Sequence, residues 1–229
     1  MIPHDITKTN QAVRRLIDKT ENPRHRFLLI AYDRHRNLEM AGRYEEIFAS
    51  DMMVETPVYH LHANEIDAKL AGKEAVKSLY RMWAETNQSI FYTENEQVAV
   101  ADNFVASVTI GYQQVSGRSL LANKVLSHLP GFLSGPILKR ALAANFKADA
   151  NAMYLYKNVY RMIWPYDDRG RLVGEDVWEP DPDKAEITKL DPADVLTTEA
   201  AGRLLAPLIE PLPSFDEMVL GKGSARRVS

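Results

Sequence analysis

The sequence predicts an α+β fold in which helices come first and an antiparallel sheet follows. Apolar residues recur at helical spacing before residue 48 and again after Gly72, and four segments beyond residue 89 pair off as strands around two turn signals. The order of these elements lacks the repeated strand–helix alternation that builds a parallel sheet. A chain of 229 residues is long enough for one large domain with a substantial core.

The first elements are helices. Thr9–Lys19 carries apolar residues at helical spacing behind a candidate cap at Thr9, and Asn22-Pro23 ends that run. A second helix is predicted to begin at Pro23, and Tyr44–Phe48 continues the helical hairpin. One broad face of the second helix holds Leu28, Leu29, Tyr32 and His35.

The sheet is predicted to begin at Met52–Val58, where Pro57 indicates an edge position or a bend. A helix follows at Gly72–Trp83. Turn signals at 101–103 and 167–170 then join two hairpins. The four hairpin strands are Ile90–Val100, Phe104–Gln114, Met153–Trp164 and Arg171–Trp178.

Two segments fall outside this pattern. Residues 116–150 are predicted to be a helical insertion, interrupted at Pro130-Gly131 and Gly135-Pro136, which serves as a lid over a pocket, as a subunit interface, or as both. Residues 181–229 are predicted to be a C-terminal arm with one short helix around Asp194–Leu205 and a disordered tail. The domain itself therefore covers residues 1–180.

Composition and missing motifs exclude several classes of function. The 28 basic residues are outnumbered by 31 acidic ones and are scattered among them, so no basic surface for nucleic acid is expected. The absence of cysteine excludes disulfides and thiolate sites and suits a reducing compartment. There is no apolar leader, no apolar run near the roughly 18 residues of a membrane span, and no Gly-rich phosphate loop. We predict a cytoplasmic protein without a cofactor or metal that binds neither nucleic acid nor membrane.

Three phrases resemble the nuclear-transport-factor-2-like superfamily, and within it the ketosteroid isomerases and scytalone-dehydratase-like enzymes. FASDMMVETPV is similar to the isomerase phrase FADDxxVEDPV, GKEAVKSLY to the helix that follows it, and DDRGRLVGEDVW to the last hairpin. The likeness covers about residues 27–112 and 154–180. It implies a cone-shaped, strongly curved sheet wrapped around the helices, with a deep apolar pocket, in a homodimer or homotrimer.

The resemblance also implies site residues. The helix tyrosine that donates to an oxyanion in the isomerases corresponds to Tyr32, and Tyr32-Asp33 reproduces the Tyr-Asp pair of the dehydratases. The two isomerase aspartates, a general base and a second oxyanion donor, correspond to Thr56 and Met162. Because both aspartates are replaced, the resemblance favours a lyase or dehydratase over an isomerase.

The register of the last two hairpin strands predicts further pocket residues. If Met162 faces the pocket, alternate residues before it do so too, and by the same register Glu175 faces inward. Burial would raise the pKa of Glu175 and let it act as acid or base near neutral pH. The inward-facing set is then Tyr154, Tyr156, Asn158, Tyr160, Glu175, Val177 and Glu179.

Glu175 has two alternatives. It can form an ion pair with Arg161 or Arg171, and a register that is one residue off would put Asp176 inside instead.

Tyr59 and His60 complete the predicted catalytic group. The Tyr59 phenol either donates to an oxyanion or accepts a proton beside a cation, or else it seals the cone with its hydroxyl in water. His60 is placed at the pocket mouth. Its alternatives are a surface position and, with His62, a metal site that lacks a third ligand.

The other candidates are substrate-binding residues with structural alternatives. Trp83 and Tyr92 are pocket aromatics or plain core. Tyr32 is otherwise a core tyrosine with a bonded hydroxyl. Asp33 otherwise caps a helix or pairs with a neighbouring arginine.

We therefore predict a carbon–oxygen or carbon–carbon lyase acting on a small, hydrophobic, phenolic molecule. Tyr59 and His60 would act at the leaving oxygen, Tyr32 would hold a phenolic or carbonyl oxygen, and Glu175 would be the base. The resemblance extends to the diarylpropane γ-formaldehyde lyases of lignin catabolism, which implies a quinone methide and loss of formaldehyde. The second hypothesis is the same cone used as a non-catalytic binding or assembly module.

Overall fold

The computed structural model describes residues 4–63, 66–121, 149–181 and 184–221, and in this part a curved sheet wraps around the N-terminal helices. The helices are α1 Gln11–Lys19, α2 Pro23–Met40, α3 Lys73–Glu85, α4 Gly117–Leu121, α5 Thr198–Leu205 and α6 Phe215–Met218. The strands are β1 Met53–Ala63, β2 Ile66–Ala71, β3 Phe91–Ala101, β4 Phe104–Ser116, β5 Met153–Pro165, β6 Leu172–Glu179 and β7 Glu186–Lys189. The predicted α+β class is confirmed.

The strands lie in the order β2-β1-β6-β5-β4-β3, and β7 pairs with β5 beside this path. All pairs are antiparallel except β1 with β6, which run parallel. Both predicted hairpins form, and Gly170 supplies the positive φ of 71° that the second turn requires. The parallel contact brings the end of the first strand against the last hairpin, and it sets the register of the site.

α2 passes through the centre of the fold. Asn22 caps it, since its Oδ1 accepts from the Arg24 and His25 backbone amides at 2.9 and 3.2 Å, and Pro23 occupies the first turn, where no amide hydrogen is needed. The helix is buried on most of its circumference, so polar residues such as Arg36 lie in the core beside Leu28 and Leu38. Each buried polar group there requires a partner. Among the described helices none has both the length and the apolar character needed to cross a bilayer.

The strands β2 and β7 were not predicted. β1 continues past Val58 to Ala63 and turns back as β2, and β7 forms in the C-terminal arm. Pro57 does mark a bend, because the register of β1 on β6 shifts between Met53 and Val58. Of the predicted insertion, 117–121 are helical as α4, whereas 122–148 lie outside the described residues, as does the predicted disordered tail beyond residue 221.

Gly174 fixes the close approach of β6 to β1. A Cβ at this position would lie 1.8 Å from the carbonyl oxygen of Val58, so only glycine fits without moving a strand. Gly174→Ala should lower the free energy of unfolding by about 1–3 kcal/mol or more, measured by urea denaturation. Thr188→Ala, at an exposed position of β7, should change it by about 0.5 kcal/mol or less. Equal stability of the two variants would contradict the close strand contact.

Candidate functional site

A cavity of about 210 Å³ lies between α2, α3 and the inner face of the sheet. Side chains from β1, β3, β4, β5 and β6 complete its wall, and most of them are aromatic or aliphatic. An apolar cavity of about 150 Å³ can hold benzene, so this one accommodates at least one aromatic ring. The exceptions to the apolar lining are few, and they include three glutamates and one arginine.

Six of the predicted site residues border this cavity. They are Tyr59, Trp83, Tyr92, Tyr160, Met162 and Glu175. Asn158 lies just behind the wall, where its amide donates to the cavity residue Glu179. The inward register of β5 and β6 is therefore the one predicted from residue parity. Asp176 faces the other side of the sheet, and neither Arg161 nor Arg171 forms an ion pair with Glu175 in the described structure.

Tyr32 does not border the cavity, so the prediction that it holds a substrate oxygen is wrong in its geometry. It is fully buried, and its hydroxyl lies 3.2 Å from Ser107 Oγ and accepts from Arg36 Nη1 at 3.3 Å. Its ring packs edge-on against Trp164 at a centroid distance of 4.8 Å. The alternative of a core tyrosine with a bonded hydroxyl applies.

Asp33 also lies away from the cavity. It pairs with Arg14 of α1, whose Nε donates to its Oδ1 at 3.1 Å, and not with the arginines beside it in sequence. Burial raises the pKa of Asp33, with Arg14 acting in the opposite direction. Its role in the structure is to attach α1 to α2.

Thr56 and His60 are on the outer side of the sheet. Thr56 is exposed and His60 is half-buried, and neither borders the cavity. The reason is the two-residue period of a strand, because Pro57 and Tyr59 are buried on the inner side and their neighbours must face outward. His60 pairs there with its cross-strand neighbour Asp176, Nδ1 to Oδ1 2.9 Å.

The outer face beside His60 carries an exposed aromatic group. His62 stacks on Trp178 at 4.8 Å between ring centroids, and Trp178 is 54% exposed. In the described part of the chain, no group of three or more metal-ligating side chains comes together.

Tyr59 is the cavity end of a buried hydrogen-bond chain. Its hydroxyl lies 3.2 Å from the Tyr80 hydroxyl, which lies 2.8 Å from His35 Nε2. Burial lowers the pKa of His35 to about 3 and raises the pKa of Tyr59 and of Tyr80 well above 10. All three groups are therefore neutral at physiological pH, and Tyr59 acts as a hydrogen-bond donor or acceptor without ionising. Of its two alternative roles, the raised pKa favours the hydrogen-bond donor over the phenolate base.

Arg36 is the cation of the cavity wall, and it was not predicted. Its Nη1 donates to Glu96 Oε1 at 2.8 Å, and both side chains are only 2% exposed. The guanidinium also lies over the rings of Tyr32 and Phe91, 5.1 and 5.4 Å from their centroids. Its charge is thus already balanced inside the protein.

Glu175 and Tyr59 are direct cross-strand neighbours in the parallel pairing of β6 with β1. Both border the cavity. Burial raises the pKa of Glu175 well above its ordinary value, and the charge of Glu39 raises it further. A carboxyl group in this position is harder to ionise than an ordinary glutamate.

Glu39 is the second carboxyl of the cavity, and sequence reasoning missed it. It lies in the last turn of α2, three residues after Arg36, and burial raises its pKa to about 8 although Arg36 opposes the shift. In the sequence, Glu39 stands out only as a charged residue between Leu38 and Met40, in a helix without a clear polar face.

The far wall holds Glu179. It accepts hydrogen bonds from the Tyr156 hydroxyl and the Asn158 amide. Nearby, the ring of Tyr160 covers Gly111, where a Cβ would lie 2.7 Å from the ring. Because residue 111 is glycine, the Tyr160 ring can pack against its backbone and form part of the cavity wall.

Comparison of the sequence with models of protein families and with curated proteins finds no match. Comparison with solved structures finds Bal32a from a soil-derived mobile gene cassette, with a TM-score of 0.42 and 11% identity over 69% of this chain and 93% of that one. A phenazine biosynthesis-related protein from Pseudomonas aeruginosa has a TM-score of 0.37 and 13% identity over 65% and 81%. An NTF2-like protein from Anabaena variabilis has a TM-score of 0.32 and 13% identity over 63% and 89%.

Proposed function

We propose that the protein is a cofactor-independent lyase that removes a hydroxyl group from a small phenolic molecule bound in the cavity. The observation that carries this proposal is the placement of Glu175. Its carboxyl group borders an apolar cavity without an ion pair or hydrogen bond to the described residues, and the Tyr59 hydroxyl is its cross-strand neighbour. A carboxyl with a raised pKa in such a place can exchange protons with a ligand near neutral pH.

The chemistry needs only proton transfers. A base removes the phenolic proton, an acid protonates the departing hydroxyl, and water leaves with the electron pair of the carbon–oxygen bond. The electron pair of the phenol O–H bond forms a carbonyl, and the ring electrons shift to the benzylic carbon, which gives a quinone methide. If the adjacent carbon carries a hydroxymethyl arm, loss of its O–H proton breaks the carbon–carbon bond, releases formaldehyde and returns two electrons to the ring. The product is then an alkene with a restored phenol.

Glu175 transfers a proton in this scheme, and Tyr59 forms a hydrogen bond to the oxygen that leaves. The surrounding aromatic side chains, among them Trp83 and Tyr160, supply the apolar surface that excludes water. His60 and Tyr32 have no part in it, because neither borders the cavity.

The test is a turnover assay with a para-hydroxyaryl 1,3-diol that carries a second aromatic ring, with formaldehyde and alkene as products. Glu175→Gln and Tyr59→Phe should each lower kcat by about 10²-fold or more, since each removes a group at the reacting atoms. Tyr44→Phe, a matched change outside the cavity, should leave kcat unchanged. The methyl ether of the same substrate should not react, because it cannot form a quinone methide. Full activity of both cavity variants would remove these residues from the mechanism.

The second candidate function is a binding module in the same cavity. The observation that favours it is the hydrogen-bond chain from Tyr59 to His35, which can hold the Tyr59 hydroxyl in place whether or not a reaction follows. Stoichiometric binding of the phenolic diols in calorimetry, with no product after prolonged incubation, would select this function over the lyase.

A further inference from the structure

The cavity contains two carboxyl groups that have no partner of their own. Glu39 projects from α2 and Glu175 from β6, and neither forms a hydrogen bond or an ion pair with any described residue. Glu179, by contrast, accepts from two donors at the far wall. An apolar cavity with two unpaired carboxyls is a costly arrangement, since an isolated charge in such surroundings is strongly disfavoured.

We propose that Glu39 and Glu175 act as one pair that holds a single proton in its active state, with Glu39 as the base and Glu175 as the acid of the same turnover. This assignment rests on the proposed lyase function for its chemistry, but the shared proton is a property of the protein without substrate. It replaces the predicted assignment of Glu175 as the base.

Two like charges in one apolar cavity cannot both form easily, so the first ionisation opposes the second. The surroundings decide which carboxyl ionises first. The charge of Arg36 favours ionisation of both glutamates, but the charge of Glu39 additionally opposes ionisation of Glu175, so Glu175 is the harder of the two to ionise. The pair therefore loses its first proton from Glu39, with a pKa of about 8, and retains the second on Glu175.

Apart from Arg36, which Glu96 already balances, the ionisable groups that the structure describes around the pair supply no cation. Those on neighbouring elements are Tyr32, His35, Arg36, Tyr59, Tyr80, Glu96, Tyr166 and Asp176. The histidine and the four tyrosines are neutral, since burial lowers the pKa of His35 and raises the pKa of each tyrosine. Arg36 is balanced by Glu96, and Asp176 points to the outer face.

The proton balance of the proposed reaction closes over this pair. Glu39 carboxylate takes the phenolic proton while Glu175 gives its proton to the departing hydroxyl, which leaves as water. Glu175 carboxylate then takes the hydroxymethyl proton as formaldehyde leaves, and Glu39 returns its proton to the ring oxygen. Both carboxyls end in their starting states, so a turnover requires no proton from solvent.

The test is a pH titration of the protein labelled with ¹³C at the glutamate side-chain carboxyls, followed by NMR without substrate. The wild-type protein should show one glutamate that titrates near pH 8 and a second that remains protonated to higher pH. Glu39→Gln should remove the titration near pH 8 and lower the pKa of the second glutamate, because its charged neighbour is gone. Glu199→Gln, at an exposed site paired with Arg203, should leave both unchanged.

Two results would overturn the pair: retention of the titration near pH 8 in Glu39→Gln, or ordinary titration of both glutamates near pH 4–5. These results are independent of turnover. The expected pair of shifted titrations with no lyase activity would refute the proposed function and leave the pair, whereas lyase activity without these shifted titrations would refute the pair alone. In an active enzyme, kcat/KM should rise with pH through about 8, and Glu39→Gln should lose this rise together with at least about 10²-fold in kcat.

Discussion

Glu96→Gln is expected to lower the free energy of unfolding by about 3–5 kcal/mol, because it leaves the buried charge of Arg36 without its counterion. The two side chains are 2% exposed and joined by one hydrogen bond of 2.8 Å, so water cannot take the place of the lost carboxylate. For a chain of this length, such a loss should lower Tm by roughly 6–20 °C. Urea denaturation and thermal unfolding measure it.

Glu55→Gln is the matched control. Glu55 also lies on a strand and pairs with a cation, Lys73, at 2.9 Å, but its side chain is 86% exposed. This substitution should change stability by about 1 kcal/mol or less. Replacing both partners of the buried pair, as Arg36→Met with Glu96→Leu, should restore much of the loss. Equal, small effects of the two glutamine variants would show that the Arg36 charge is hydrated.

The stability of the protein is expected to fall as pH rises from 6.5 to 8. Glu39 has a folded pKa of about 8 against an ordinary value of 4.5, so between these values the native state holds a proton that the unfolded state has lost. Stability therefore falls with rising pH, by about 1.4 kcal/mol per pH unit for each such group. The raised pKa of Glu175 acts in the same direction.

The lowered pKa of His35 changes protein stability in the opposite direction and over a lower pH range. Its folded pKa of about 3 is below its ordinary 6.5, so between these values the unfolded state binds a proton that the native state excludes. His35 therefore raises stability as pH rises to 6.5, which offsets Glu39 between pH 4.5 and 6.5. Above pH 6.5 His35 no longer opposes the glutamates, and the decline becomes steeper.

Glu39→Gln separates these contributions. Glutamine resembles the protonated glutamate at every pH, so the variant should match the wild-type stability below pH 4.5 and exceed it by about 1.4 kcal/mol at pH 5.5 and by about 4 kcal/mol at pH 7.5. Between pH 6.5 and 8, the free energy of unfolding of the variant should fall less steeply than that of the wild type, by about 1.4 kcal/mol per pH unit. Denaturation curves at pH 5.5, 6.5 and 7.5 measure the slopes. Parallel profiles for wild type and variant would contradict the raised pKa of Glu39.

The hairpins and the inner face of β5 and β6 could be predicted from the sequence, because turn residues and strand parity are local signals. Glu175 and Tyr160 followed from that parity once the resemblance had placed Met162 in the pocket. The same rule fails wherever a strand contains an extra residue. In β3, the register shifts between Glu94 and Gln97 around Asn95, which has a φ of 53°. The shift turns Glu96 into the core as the partner of Arg36, and no pattern in the sequence indicates it.

The parallel contact of β1 with β6 was equally invisible, because nothing local to either strand specifies a partner more than a hundred residues away. β2 and β7 were missed since they are short. Placing Tyr59 and His60 in the same pocket overlooked the fact that adjacent strand residues face opposite sides. Glu39 was missed because burial around most of α2 removes the periodicity that would mark its cavity-facing side.

Gly111 has a consequence for how this protein could change. Because the Tyr160 ring occupies the space where a side chain at residue 111 would begin, a single methyl group there would push the ring inward and shorten the room left for a guest. The size of molecule admitted can thus be retuned at a site that handles no protons. Diversification of ligand choice could then proceed while the acid–base groups stay the same.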